Sequence, residues 1–195
     1  MVAFIGLTGG IGAGKSTALA ALARLGAATL STDAIVHDLY DSPEVREAVV
    51  ARLGPSMLRG GAIDRGAVAS RAFATASDRS WLEGLLWPLV RSRMAAWKAQ
   101  IDAASPPPRA AVVEVPLLFE SGMDSAFDAT IAVVAKETVR AQRAGARGHE
   151  ALAARSARQL SQQEKAQRAT YKVTNDGTEQ ELEDQLSAVL EMLPG

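Results

Sequence analysis

Five short apolar runs are spaced along the chain, with longer stretches between them in which apolar residues recur every three or four positions. The runs cover residues 2–7, 27–30, 110–115, 129–134 and 171–174. Short runs that are mainly apolar are typical of strands that are buried on both faces of a parallel sheet. Helices that connect such strands pack on the two faces of the sheet. The pattern therefore predicts an α/β fold with a five-stranded parallel sheet flanked by helices.

The stretches between the runs carry signals for the ends of helices. Asp64 is a predicted N-cap, and Thr178 with Glu181 predicts a capping box. Pro88 is expected to interrupt and kink a long helix, and pairs of Gly and Pro predict a loop at residues 54–61. Helices are predicted over residues 14–25, 34–40, 43–53, 64–74, 78–104, 136–147, 150–160 and 178–193.

Length and composition limit the chemistry. The 195 residues fit one compact domain, and 48% hydrophobic with 22% charged residues is ordinary for a globular protein. The absence of Cys excludes disulfides, thiolate nucleophiles and Cys-ligated zinc, and two His are too few for a multi-His metal site. No apolar run approaches the ~18 residues of a membrane span, and the N-terminus lacks a signal peptide. We therefore expect a cytoplasmic protein without a membrane partner, either a monomer or a weak homo-oligomer.

The most specific motif is residues 9–16, Gly-Gly-Ile-Gly-Ala-Gly-Lys-Ser, which match the phosphate-loop pattern G-x-x-x-x-G-K-[ST]. The motif lies between a predicted strand and a predicted helix. Its glycines let backbone N–H groups approach a phosphate, and the helix N-terminus adds a positive dipole end. Lys15 is expected to bridge the β- and γ-phosphates, and the Ser16 hydroxyl to bind Mg²⁺. We therefore predict ATP with Mg²⁺ as the ligand. The predicted ATP contacts in the loop are Gly10, Ile11, Gly12, Ala13, Gly14, Lys15, Ser16 and Thr17.

Two missing segments narrow the class of phosphate-loop protein. The guanine-recognition segment N/T-K-x-D and the D-x-x-G switch of G-proteins do not occur in the sequence. A chain of this size with one phosphate loop is typical instead of a kinase for a small acceptor. Asp33 follows the second predicted strand, at the sheet edge where α/β proteins bind ligands, so its carboxylate could accept the proton of an attacking hydroxyl. The alternative is that Asp33 only caps the next helix.

Residues 113–120, Val-Glu-Val-Pro-Leu-Leu-Phe-Glu, complete another predicted strand at the same edge of the sheet. Glu114 could hold Mg²⁺ through water, or it could pair with Lys15 or a hydroxyl. Leu117 and Leu118 could line an apolar pocket, although position alone favours a place in the core.

The formal net charge of −1 conceals an uneven distribution. Residues 136–172 carry nine basic and three acidic side chains, a net +6, so the rest of the chain carries −7. Arg143 and Arg147 are four residues apart and share a helix face, which suits a lid that closes over a triphosphate. Nucleic-acid binding is the rival interpretation, but Tyr171 is the only aromatic residue of the segment that could stack on bases. We therefore expect no nucleic-acid partner.

The order of these motifs resembles the dephospho-coenzyme A (dephospho-CoA) kinase family over nearly the whole chain. The most specific pieces are the extended loop at residues 6–17 and the Pro-Leu-Leu-Phe-Glu segment at residues 116–120. Trp87-Pro88 stands where the family usually has His-Pro, so a catalytic imidazole is missing at that point. Further matches are Asp33, Ile63-Asp64-Arg65, Arg143, Arg147, Arg155, Gln159, Lys165 and Asn175-Asp176-Gly177.

The resemblance implies an enzyme that transfers the γ-phosphate of ATP to the ribose 3′-hydroxyl of dephospho-CoA. It implies a single domain with three parts. These are a core at about residues 1–33, 105–139 and 164–195, a helical acceptor-binding region at about 34–104, and a lid at about 140–163.

The resemblance also assigns residues to roles. Asp33 would be the catalytic base, and the other catalytic residues would be Lys15, Arg143 and Arg147. The acceptor would contact Thr8, Asp33, Arg65, Leu117 and Leu118, and the adenine of ATP would lie near Asn175 and Gly177. Two alternatives remain open: a kinase for another small acceptor, such as a nucleoside or nucleotide, and a nucleotide-regulated binding module without transfer activity.

Overall fold

The computed structural model of the protein describes residues 1–145 and 159–193, and the chain divides into two compact units. The first unit comprises Met1–Ser31 and Lys98–Gly195, and the second comprises Thr32–Trp97. The second unit begins two residues before the predicted acceptor-binding region of about residues 34–104 and ends seven residues before its end, and the role of that region stays a prediction. The secondary structure, in chain order, is β1 (Phe4–Gly9), α1 (Lys15–Arg24), β2 (Ala28–Ser31), α2 (Thr32–Tyr40), α3 (Pro43–Leu53), β3 (Leu58–Arg59), β4 (Ala62–Ile63), α4 (Arg65–Ala74), α5 (Ala76–Asp102), β5 (Ala111–Glu114), β6 (Ala129–Val134), α6 (Glu137–Gly145), α7 (Gln162–Arg168), β7 (Tyr171–Thr174) and α8 (Glu179–Met192).

Five of the described strands form the predicted parallel sheet of the first unit, in the order β2-β5-β1-β6-β7. Strand β1 is central, so Leu7 lies between Glu114 of β5 and Ile131 of β6. Residues of α1 and α8, among them Leu22 and Leu186, join the strands in one apolar core. This packing explains the mainly apolar runs of β1, β5 and β6, because strands covered by helices bury both of their faces.

Strand β1 extends further than its apolar pattern suggests. It runs to Gly9, whereas the prediction ended at residue 7. The extension is held by parallel pairing with β6, where Thr8 aligns with Ala132 and Gly9 with Val133. Pairing with a neighbouring strand thus overrides the weak strand preference of Gly.

The predicted loop at residues 54–61 contains structure that the prediction missed. A short 3-10 helix at Pro55–Met57 leads into an antiparallel hairpin of β3 and β4. Gly60 and Gly61 connect the two strands with φ values of +62° and +84°, and a two-residue hairpin turn of this kind needs positive φ at both positions. Each strand has only two residues, which is too short to produce an alternating pattern. After the hairpin, Asp64 caps α4 as predicted, because its Oδ1 accepts a hydrogen bond from Ala67 N at 3.0 Å.

Helix α5 is continuous over all of its residues, so the interruption predicted at Pro88 is wrong. Leu86 and Val90 are buried on either side of the proline, and this packing compensates for the one backbone hydrogen bond that proline removes. The helix also begins earlier than predicted, because Thr75 Oγ1 accepts a hydrogen bond from Asp78 N at 3.0 Å. The buried Asp78 forms an ion pair with Arg71 at 3.2 Å.

The last helix, α8, has the predicted capping box. Thr178 accepts a hydrogen bond from Glu181 N, and the Glu181 side chain accepts one from Thr178 N. The predicted helix at 150–160 and the last residues of the one at 136–147 lie outside the described residues, apart from residues 159 and 160, which are not helical. Within the described part of the chain, no helix is both long enough and apolar enough to span a bilayer.

Candidate active site

The phosphate-loop motif connects β1 to α1 at the carboxyl edge of the sheet. Gly14, at the start of α1, has a φ of +92°, a left-handed conformation that favours glycine. A Cβ atom at Gly14 would lie directly on Asn175 Nδ2, and one at Gly12 would lie 2.7 Å from the carbonyl oxygen of Arg140. The loop therefore needs glycines because other parts of the first unit pack closely against its backbone.

Lys15 folds back along the loop. Its Nζ donates hydrogen bonds to the carbonyl oxygens of Gly9 at 3.3 Å and Gly10 at 3.4 Å. Ser16 follows in the first turn of α1 with an exposed side chain, and Thr17 is half-buried. The backbone N–H groups of the loop, the Lys15 ammonium and the N-terminus of α1 are donors of the kind that bind an anion.

Helix α6 packs on the loop through its basic side chains. Arg140 Nε donates to the carbonyl of Ile11 at 2.9 Å, and Arg140 Nη1 pairs with Glu137 at 2.7 Å. Arg143 Nη1 donates to the carbonyl of Asn175 at 3.1 Å. Arg147, which the sequence paired with Arg143, lies outside the described residues. The prediction named no role for Arg140, although its position three residues before Arg143 places it on the same helix face.

Asn175 connects the loop to the end of the sheet. It is buried, its Nδ2 donates to the carbonyl of Ala13 at 2.9 Å, and its backbone N–H donates to the carbonyl of Val134 at 2.8 Å. Gly177, two residues further on, is exposed. The structure thus brings Asn175, Arg143 and the loop together, while the predicted role of Asn175 and Gly177 beside adenine stays a prediction.

A buried lysine that the sequence did not single out for a role lies beside the end of β1. The side chain of Lys165 is fully buried, and its Nζ donates to Thr8 Oγ1 at 3.4 Å, to the carbonyl of Pro116 and to Glu120 Oε1 at 3.0 Å. Burial lowers the pKa of Lys165, and the charge of Glu120 partly opposes this effect. The side chain of Thr8 is also fully buried. Its predicted contact with the acceptor stays a prediction.

The residues after β5 divide between core and surface. Leu118 is fully buried and packs on β1, since a Cβ at Gly6 would lie 3.1 Å from Leu118 Cδ2. Leu117 is only half-buried. Glu114, the last residue of β5, is 7% exposed and aligns with Leu7 of β1. Leu118 thus occupies the core position that the sequence pattern favoured, and the acceptor contacts of both leucines stay predictions.

Two predicted site residues belong to the second unit. Asp33 is exposed in the first turn of α2, which begins at Thr32, so it does not occupy the N-cap position that the alternative required. Arg65 is exposed at the start of α4. Burial raises the pKa of Tyr40, and the nearby charge of Arg65 partly offsets that rise.

The donors for a metal are sparse. Within the described residues, no group of three His, Cys, Asp or Glu side chains could hold a metal ion. The Ser16 hydroxyl and the Glu114 carboxylate are hard oxygen donors of the kind that Mg²⁺ accepts when phosphates and waters supply its remaining ligands. This donor set fits a cation that arrives with a nucleotide.

Comparisons with known proteins identify the family of the chain. A family model described as dephospho-CoA kinase matches residues 3–181. A dephospho-CoA kinase from Deinococcus radiodurans is 39% identical over 192 residues, covering 97% of this chain and 91% of that protein. A crystal structure from Thermus thermophilus aligns with a TM-score of 0.82 at 34% identity, covering 100% of this chain and 99% of that chain. A shikimate kinase from Aquifex aeolicus, with a TM-score of 0.52 and 14% identity over 96% of both chains, shares the fold. With a five-stranded sheet, a glycine-rich phosphate loop and this extent of similarity, the chain belongs to the dephospho-CoA kinase family.

Proposed function

We propose that the protein transfers the γ-phosphate of ATP to the 3′-hydroxyl of dephospho-CoA, which yields coenzyme A and ADP. The observation that carries the proposal is the phosphate loop between β1 and α1 in a chain that matches the dephospho-CoA kinase family over residues 3–181. Phosphoryl transfer needs little covalent chemistry from the protein. Catalysis therefore depends on positioning the two substrates and on stabilising charge.

The loop would hold ATP by its phosphates. Backbone N–H groups of residues 10–14 and the N-terminus of α1 would bind phosphate oxygens. Lys15 would exchange its contacts with the Gly9 and Gly10 carbonyls for the β- and γ-phosphates. Mg²⁺ would be held by the phosphates, by Ser16 and, through water, by Glu114, and when bound it neutralises phosphate charge.

Asp33 would act on the acceptor. Its exposed carboxylate would accept the proton of the 3′-hydroxyl as the hydroxyl oxygen forms a bond to the γ-phosphorus. The bond between the γ-phosphorus and the bridging oxygen breaks, and ADP leaves with the electron pair. The remaining predicted acceptor contacts are Thr8, Arg65, Leu117 and Leu118.

Arginines would stabilise the charge that spreads over the transferred group. Arg143 would do so from α6, near the loop, together with Arg147. Arg140 would hold the loop through the Ile11 carbonyl rather than touch phosphate. The adenine would lie beside Asn175 and Gly177.

Coupled detection of ADP release tests the proposal. The purified protein with Mg²⁺-ATP is offered dephospho-CoA, a nucleoside and a nucleoside monophosphate in parallel. Stimulation of ADP release by dephospho-CoA, with coenzyme A as product by mass spectrometry, is the expected result. If only the nucleoside or the nucleotide stimulates ADP release, the acceptor is that molecule and not dephospho-CoA. ATP binding without any acceptor-stimulated release would indicate a binding module and contradict the proposed transfer.

The same protein is expected in the cytoplasm, as a monomer or a weak homo-oligomer. Cell fractionation and sedimentation velocity at micromolar concentration measure these properties. A stable oligomer would contradict the expected state of assembly.

A further inference from the structure

Lys165 places a charged group in the interior of the first unit. Lysine is seldom fully buried, because its ammonium group loses hydration that the interior must replace. Here the three N–H groups of the ammonium have three acceptors: Thr8 Oγ1 at 3.4 Å, the Pro116 carbonyl and Glu120 Oε1 at 3.0 Å. Glu120 also supplies an opposite charge. We name these four residues the Lys165 cluster.

The acceptors of the cluster belong to segments that lead into the candidate active site. Thr8 lies in β1, directly before Gly9 of the phosphate loop. Pro116 and Glu120 are the two ends of residues 116–120, which contain the predicted acceptor contacts. Lys165 therefore binds this segment at its first and at its last residue. Between these ends, Leu118 packs on β1.

The other hydrogen bonds at the far end of the segment are mostly local: Ser121 N and Ser121 Oγ donate to the Leu117 carbonyl, and Met123 N donates to the Leu118 carbonyl. Glu120 Oε1 accepts a hydrogen bond from Leu160 N at 2.8 Å, just before α7. Glu120 Oε2 is buried and accepts no hydrogen bond from the described residues. Residues 116–120 follow β5 and form no part of the sheet, whereas Thr8 is held on β1 by its pairing with Ala132. Loss of the ammonium would therefore release the 116–120 segment more than the phosphate loop.

We propose that Lys165 is a positioning residue for phosphoryl transfer, whose ammonium group fixes residues 116–120 relative to the strand that leads into the phosphate loop. This inference rests on the proposed function, since it assigns the segment to the acceptor. Lys165 itself is fully buried and contacts no solvent. A displacement of the acceptor by about 1 Å lowers the rate by about a hundredfold.

Four variants test the proposal: Lys165→Met, Lys165→Arg, the double variant Lys165→Met with Glu120→Gln, and Lys172→Met as an exposed control on β7. The double variant removes the buried carboxylate that Lys165→Met leaves without its cation, so it regains stability. If Lys165 served only as a structural ion pair with Glu120, kcat would recover together with stability in the double variant. A positioning residue would not, so kcat stays about tenfold to a hundredfold low. Lys165→Arg, which keeps the charge, recovers part of kcat.

Substrate dependence and hydrogen exchange supply the other readouts. In Lys165→Met we expect a rise in the KM for the acceptor and a change of less than about threefold in the Kd for ATP. We also expect faster hydrogen exchange at the amides of Ser121 and Met123, which donate to the carbonyls of Leu117 and Leu118. Wild-type kcat in the stable double variant, or unchanged exchange at these amides in Lys165→Met, would overturn the proposal. Exchange is measured without acceptor. A wild-type enzyme that is inactive on dephospho-CoA would therefore contradict the proposed function, while exchange still decides the role of Lys165.

Discussion

Replacing Gly14 by Ala tests the close packing around the phosphate loop. Two effects combine in this variant. An alanine in the left-handed conformation at φ +92° costs about 1–2 kcal/mol relative to glycine. The added methyl group also meets Asn175 Nδ2, so the amide must move and release its 2.9 Å hydrogen bond to the Ala13 carbonyl. A buried acceptor left without its partner costs about 1–3 kcal/mol. The expected loss in the free energy of unfolding is therefore about 2–5 kcal/mol.

Gly122→Ala is a matched control in the same unit. Gly122 has a φ of +64°, and no atom of the described chain lies within 4 Å of an added Cβ. This control should lose only the backbone part, about 1–2 kcal/mol. Urea unfolding followed by circular dichroism, without nucleotide, gives both values.

A second background isolates the contact. In an Asn175→Ala protein the methyl group at residue 14 meets no amide, so Gly14→Ala should cost only about 1–2 kcal/mol there. The reasoning is refuted if Gly14→Ala costs no more than Gly122→Ala, or if its cost is the same with and without the Asn175 amide.

Three further predictions concern catalysis, the core and pH. Asp33→Asn should keep the Kd for ATP near that of the wild type and lower kcat with dephospho-CoA by about 10²–10⁴. Asp38 is exposed on the same helix, and Asp38→Asn should leave kcat unchanged. Equal kcat values for the two variants would show that Asp33 is not the catalytic base. Leu186→Ala should lower the free energy of unfolding by about 2–5 kcal/mol, because Leu186 is fully buried, and the exposed Met192→Ala should change it by less than about 0.5 kcal/mol. Hydrogen bonds from Ser161 lower the pKa of Glu164 below its ordinary 4.5, so its stabilising effect is complete above pH 4.5 and is lost as the pH falls through the lowered value. The stability difference between the wild type and Glu164→Gln, measured by urea unfolding, should therefore shrink with acidification, and a difference that grows would contradict this sign.

Local sequence patterns were sufficient for much of the fold. The strands Ala129–Val134 and Tyr171–Thr174 coincide with the predicted ranges, and Asp64 and Thr178 cap the helices expected of them. These features depend on contacts between residues that are close in the chain, or on burial that apolar runs reveal directly. The phosphate loop is local in the same sense, because one continuous segment supplies its donors.

Other features depend on residues that are distant in the chain. Arg140 contacts Ile11 across 129 positions, and Lys165 contacts Thr8 across 157. In the sequence, Lys165 is one basic residue among nine in a positive segment. Its burial became favourable only where β1, the 116–120 segment and α7 brought three acceptors around one ammonium group.

The sequence by itself determined that this protein is a phosphate-loop α/β protein with Asp33 after its second strand, because glycine conformation, helix capping and apolar periodicity act over a few residues. Only the tertiary structure decided which side chains the loop packs against, that α5 runs through Pro88 and that Lys165 is an interior charge. The physical reason is that burial and hydrogen-bond satisfaction are properties of the packed neighbourhood. A residue's own identity sets the groups that need partners, and the fold decides where those partners are found.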